Sequence, residues 1–180
     1  MTIPNLITSI RIILAPIFII YLLNEDFPSA LIVFILAGVS DAADGLIARL
    51  FNQKSELGAY LDPLADKILL ISAFIVLSIK NFVPPWLSVV VITRDIMILL
   101  GVLFIFLKTS SFPVRPSVLS KTTTFLQLAT IFVALSERLF PAFLMYSEYL
   151  FWITGLLTIS SGLHYMRYWF RTMGEGSFDD

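Results

Sequence analysis

The stretch Asp41-Ala-Ala-Asp44-Gly45-Leu-Ile-Ala48-Arg49, followed after eight residues by Gly58-Ala-Tyr-Leu-Asp62-Pro-Leu-Ala-Asp66, places four carboxylates within or at the edge of segments otherwise apolar enough to cross a bilayer. An ionised Asp at the centre of a membrane costs about 2.5–3.5 kcal/mol. Four of them call for a compensating reason. Asp41 and Asp44 are three residues apart, and Asp62 and Asp66 are four apart, so each pair lies on one face of its helix. A short connection between the two helices makes them antiparallel neighbours, with both pairs near the same end. Carboxylates gathered at low dielectric cannot all stay ionised unaided. A divalent cation with a taste for oxygen (Mg²⁺, Mn²⁺ or Ca²⁺) removes the conflict, and two ions fit if carboxylates bridge them. Because Mg²⁺ commonly shares its shell with substrate phosphates, the pattern points to chemistry on a phosphate ester. The alternative is that the acids pair with Arg49, Lys67 and Arg94 as buried ion pairs, an expensive way to hold helices together.

The rest of the chain agrees with a membrane setting. Its 180 residues are 58% hydrophobic and 14% charged, with a mean hydropathy of +0.90. Soluble domains carry about 25% charged residues, so disorder, a basic nucleic-acid-binding domain and an ordinary cytosolic enzyme are excluded. There is no cysteine and a single histidine, which removes disulfides, thiolate chemistry and His-cluster zinc sites. About 20 residues of helix cross a bilayer. Six segments qualify: 5–23, 28–51, 61–79, 86–107, 119–135 and 149–168. Asn81 to Pro85 reads as a turn, since Pro84-Pro85 cannot continue a helix. The amino-terminal run lacks the early basic residues and small-residue cleavage site of a signal peptide. The expectation is one all-α integral membrane domain, residues 1–180, a bundle of six transmembrane helices with a frayed tail at 174–180. Six crossings put both termini on one side, with Arg11, Arg49, Lys54, Lys108, Arg115, Lys121, Arg167 and Arg171; Lys80 and Arg138 fall on the other. That asymmetry makes the termini and the acidic site cytoplasmic; the expected location is the cytoplasmic (inner) membrane of a bacterium.

The complete pattern, D-x2-D-G-x2-A-R-x8-G-x3-D-x3-D, resembles the signature of the CDP-alcohol phosphotransferase family, matching all eight fixed residues across 26 positions. The resemblance implies displacement of CMP from CDP-diacylglycerol by an alcohol. It implies that Asp41, Asp44 and Asp62 hold metal, and that Asp66 both contacts the second of two Mg²⁺ or Mn²⁺ ions and acts as general base. Gly45, Ala48 and Arg49 then line the CDP site. It also implies a homodimer. Read on their own, Gly45 and Ala48 are small residues that let helices pack closely, Arg49 suits a phosphate as a fork of donors, and Gly58 suits a turn before the third helix.

Residues outside the signature bear on the acceptor. Asn5 and Thr8 either help the nucleotide or cap the first helix. Arg94, Arg115 and Lys121 are candidates to bind an anionic acceptor, with simple positive-inside charge the competing reading for Arg115. Asp95, next to Arg94 along the helix, points to another face. Arg94-Asp95, the stretch Arg115-Pro to Ser-Lys121, and Glu25-Asp26-Phe27 resemble the cardiolipin-forming branch of the family, whose acceptor is phosphatidylglycerol. The alternative is the branch that uses glycerol 3-phosphate. Two other classes compete: a membrane cation transporter, whose site belongs near the midplane rather than at one surface, and a catalytically silent assembly subunit. His164 and the tryptophans Trp86, Trp152 and Trp169 read as structural or interfacial.

Overall fold

The computed structural model describes the backbone of residues 3–51, 56–109, 117–137 and 139–175, and within these the side chains of 13–40, 67–101, 117–137 and most of 139–169. The described residues form six α-helices and no strand: α1 (Ile3–Leu23), α2 (Phe27–Phe51), α3 (Glu56–Ile79), α4 (Pro85–Thr109), α5 (Val118–Ser136) and α6 (Leu144–Glu175), with a 3₁₀ turn at Pro141–Phe143 before α6. The expected segments are all present as helices. Two differ in length for physical reasons. α3 starts at Glu56, so Gly58 lies inside its first turns and not in a turn ahead of it. α6 has 32 residues, about 48 Å at 1.5 Å per residue, and so outruns the apolar stretch that marked it in the sequence. Pro85 opens α4, where a missing amide hydrogen has no helical partner to lose.

Short turns close the first two hairpins, and both rely on a left-handed residue. Glu25 sits at φ 60° and Asn81 at φ 62°, each just past a helix end, where the chain must reverse. The two turns lie side by side. Lys80 Nζ bonds Glu25 Oε1 at 2.7 Å, and the Phe27 and Phe82 rings are 4.7 Å apart. α5 is capped at its start by Ser117, whose hydroxyl oxygen accepts from the Ser120 amide at 3.2 Å. At its end stands Glu137, whose carboxyl is pushed above its ordinary value of 4.5 by burial, against a hydrogen bond from Ser147.

Packing runs in two halves. α1 lies against both α2 and α3, and α6 against both α4 and α5; α3 meets α4, while α5 packs on α2 and α3. Among the described residues, α2 and α3 come together through α1 and α5 rather than along a seam of their own. The first half has an apolar interior built on Phe18, Leu22, Phe34, Phe74 and Leu77. The α5–α6 interface is polar instead. Thr123, Gln127, Thr130, Thr154, Thr158 and Ser161 are wholly buried. Thr130 and Thr154 share a hydroxyl–hydroxyl bond of 2.9 Å, and several of the threonines return their hydroxyls to their own helix. Gly155 lets Trp86 pack: a Cβ there would lie 2.6 Å from the indole. That indole stacks in turn near Trp152, with centroids 4.9 Å apart.

The outside is as apolar as the inside. Ile13, Ile20, Val39, Ile79, Val89 and Phe125 are each more than half exposed. By length and composition α5 is able to cross a membrane; among the described residues Ile13–Leu23, Phe27–Ser40 and Lys67–Ile79 are shorter apolar helices.

Candidate active site

The four signature acids fall in two unbroken helices. Asp41 and Asp44 lie in α2 together with Gly45, Ala48 and Arg49, and Asp62 and Asp66 lie in α3. Their side chains lie outside the described residues, as do those of Asn5 and Thr8 in α1; Arg115 lies outside entirely. Helical backbone through both stretches keeps the three- and four-residue spacings as one-face spacings. The donor set is carboxylate oxygen throughout, which fits a hard divalent cation and leaves sulfur- or imidazole-seeking metals without a ligand.

Immediately beyond Asp66 the side chains are described, and they form a charged network in the interior. Lys67, on α3, bonds Asp95 Oδ2 on α4 at 2.7 Å. The other carboxylate oxygen of Asp95 accepts from Arg94 Nη1, also at 2.7 Å. Arg94 Nη2 then donates to the Ser120 hydroxyl on α5 at 2.6 Å and to the Ser161 hydroxyl on α6 at 2.8 Å. Asp95 is wholly buried and Arg94 is 3% exposed. The reading of Asp95 as facing away from Arg94 is therefore corrected. Neighbours on a helix diverge by about 100°, but the long guanidinium stem folds back and closes the gap. Arg94, a candidate for the acceptor anion, has a carboxylate and two hydroxyls as partners within the chain, while its buried Nε has none. The ion pairs of Lys67 and Arg94 described here are with Asp95.

Lys121 follows Ser120 on α5 and is exposed. His164 is exposed on α6. On the opposite flank of α5, an open apolar groove of about 400 Å³ runs between α2, α3 and α5, lined by Phe34, Gly38, Val39, Leu69, Phe125 and Phe132 among others. Gly38, in the groove wall, stands three residues before Asp41, about one helical turn along α2. Sequence reasoning did not find this groove, because its walls are ordinary apolar residues from three separate helices. It also missed the Lys67–Asp95 pair, although a Lys and an Asp in the middle of apolar helices were the available signal.

Residues 1–160 match the CDP-alcohol phosphatidyltransferase family, and the chain belongs to it. Its relatives include a cardiolipin synthase (CMP-forming) of Rattus norvegicus, 36% identical over 96% of this chain and 63% of its own length. The Homo sapiens cardiolipin synthase (CMP-forming) is 35% identical over the same shares, and that of Streptomyces coelicolor is 38% identical over 57% of this chain and 50% of its own. The chain thus spans about 63% of the length of the mammalian relatives it matches.

Proposed function

We propose that this chain is a membrane phosphatidyltransferase that moves the phosphatidyl group of CDP-diacylglycerol onto phosphatidylglycerol, giving cardiolipin and CMP. The observation that carries the reading is the complete signature, held in two continuous helices, in a chain similar almost end to end to CMP-forming cardiolipin synthases. The six helices cross the membrane with the termini and the signature at the cytoplasmic face. The apolar exterior and the polar α5–α6 interior support this, since in lipid the buried side of a helix is where hydroxyls and small residues find partners.

Asp41, Asp44, Asp62 and Asp66 hold one or two Mg²⁺ or Mn²⁺ ions. The bound ions supply charge neutralisation of the pyrophosphate and of the departing CMP. Gly45 and Ala48 leave room for the nucleotide against α2, and Arg49 donates to its phosphates. Asn5 and Thr8 border the same end of the bundle. Asp66 accepts the proton of the attacking acceptor hydroxyl. The new bond joins that oxygen to the phosphatidyl phosphorus, the anhydride P–O bond breaks, and CMP leaves with the electron pair. Lys121 and Arg115 offer positive charge to the acceptor phosphate. The groove beside Gly38 takes an acyl chain, since its walls are almost wholly apolar and Gly38 stands about one turn from Asp41.

The test is release of CMP from CDP-diacylglycerol by the purified chain in detergent, with phosphatidylglycerol and glycerol 3-phosphate offered separately and the lipid product weighed. Cardiolipin is the expected product, and chelation of divalent cations should abolish its formation. Phosphatidylglycerophosphate as the sole product overturns the acceptor; no CMP with either overturns the transferase.

A further inference from the structure

Asp95 is a single buried carboxylate shared by two cations on different helices. Its Oδ2 meets Lys67 Nζ on α3 and its Oδ1 meets Arg94 Nη1 on α4, both at 2.7 Å. Arg94 carries the connection on to Ser120 of α5 and Ser161 of α6. Four of the six helices thus meet through one set of charge-assisted bonds, the short and strong kind. Among the described residues, two cations share this one carboxylate. Buried ion pairs are a costly way to join helices, for which apolar packing serves as well or better. The return is specificity, because a satisfied buried network favours the one helix arrangement that keeps all of its bonds. The place where α3 enters this set is the residue directly after Asp66.

We propose that Lys67 is a positioning residue for the phosphatidyl transfer: gripped by Asp95, it fixes the rotation and height of the α3 turn that carries Asp66 relative to α4, α5 and α6. This inference rests on the proposed function for its catalytic consequence and on the ion pair alone for its structural one. Lys67 itself touches no reacting atom. A helix held by apolar contacts rolls and slides in small steps, and a displacement of about 1 Å at a reacting group can cost on the order of 100-fold in rate. The Lys67–Asp95 bond removes that freedom one residue from the proposed base.

Lys67→Gln is the informative variant, because it cuts the tie from α3 while leaving Arg94 and Asp95 as a neutral pair. Lys67→Arg is the conservative rescue. In CMP-release assays, Lys67→Gln should lower kcat by about tenfold or more with the KM for CDP-diacylglycerol held within about twofold, and Lys67→Arg should recover most of the loss. Amide hydrogen exchange on the full chain in detergent gives a second readout that needs no turnover. The amides of Leu64, Ala65 and Asp66 should exchange about tenfold faster in Lys67→Gln than in the parent, with α5 and α6 unchanged. A raised KM with unchanged kcat makes Lys67 a substrate ligand and overturns the proposal. So does unchanged exchange at those amides. If the parent chain releases no CMP, the proposed function fails, and the exchange comparison still decides whether Lys67 holds the turn.

Discussion

Replacing Asp66 by Asn keeps the shape of the side chain and removes its ability to take a proton. If Asp66 is the base, Asp66→Asn should lower CMP release by about 10²–10⁴-fold, the usual worth of a general base, while CDP-diacylglycerol still binds, as measured by titration with the labelled lipid. Unchanged turnover removes Asp66 from that role. At this scale the sequence was most informative where a residue broke the local rule. Acids inside apolar helices pointed to chemistry because an uncompensated charge in lipid is so costly. The same rule applied to Asp95 and Lys67, yet their mutual contact was not legible, since 28 residues separate them along the chain. Arg94 is the complementary case: its depth was readable, and its partners on α4, α5 and α6 were not.

The helices follow from local signals more closely than the contacts do. Apolar runs and the Pro84-Pro85 break mark the elements, whereas the starts of α3 and α6 were misplaced because polar residues at a helix end look like loop. Glu137, just after α5, gives an element-scale prediction. Its folded-state pKa lies above the ordinary 4.5 because burial disfavours the charged form. The folded chain therefore binds that proton more tightly than the unfolded chain. The stability this supplies is present below the ordinary value and is lost as pH rises through the raised one. Glu137→Gln removes that dependence, so thermal unfolding in detergent should show the variant gaining on the parent as pH is raised from about 4 to about 7. A constant difference across that range would mean that Glu137 ionises as freely in the folded chain as in the unfolded one.

For the whole molecule, polarity is distributed unevenly: an apolar interior between α1, α2 and α3, threonines and a glutamine buried between α5 and α6, and isoleucines and phenylalanines facing out. The groove beside Gly38 belongs to this scale, because no single helix makes it. A Cβ at Gly38 would meet nothing within 4 Å, so the fold should tolerate a side chain there. Gly38→Leu should leave the melting temperature nearly unchanged but raise the KM for long-chain CDP-diacylglycerol by about tenfold or more, within the roughly one to three kcal/mol that a misfitted apolar pocket costs, with short-chain substrate spared. Equal effects on both lipids would argue that no acyl chain lies in the groove. The sequence by itself determined the all-helical class, the helix count among the described residues and the identity of the signature residues, because composition, helical period and a fixed motif are all local along the chain. Only the tertiary structure decided that Lys67, Asp95, Arg94, Ser120 and Ser161 form one network and that α2, α3 and α5 enclose a groove. Those arrangements depend on which helices lie side by side and how each is turned about its axis, and uniformly apolar helices carry little information about either.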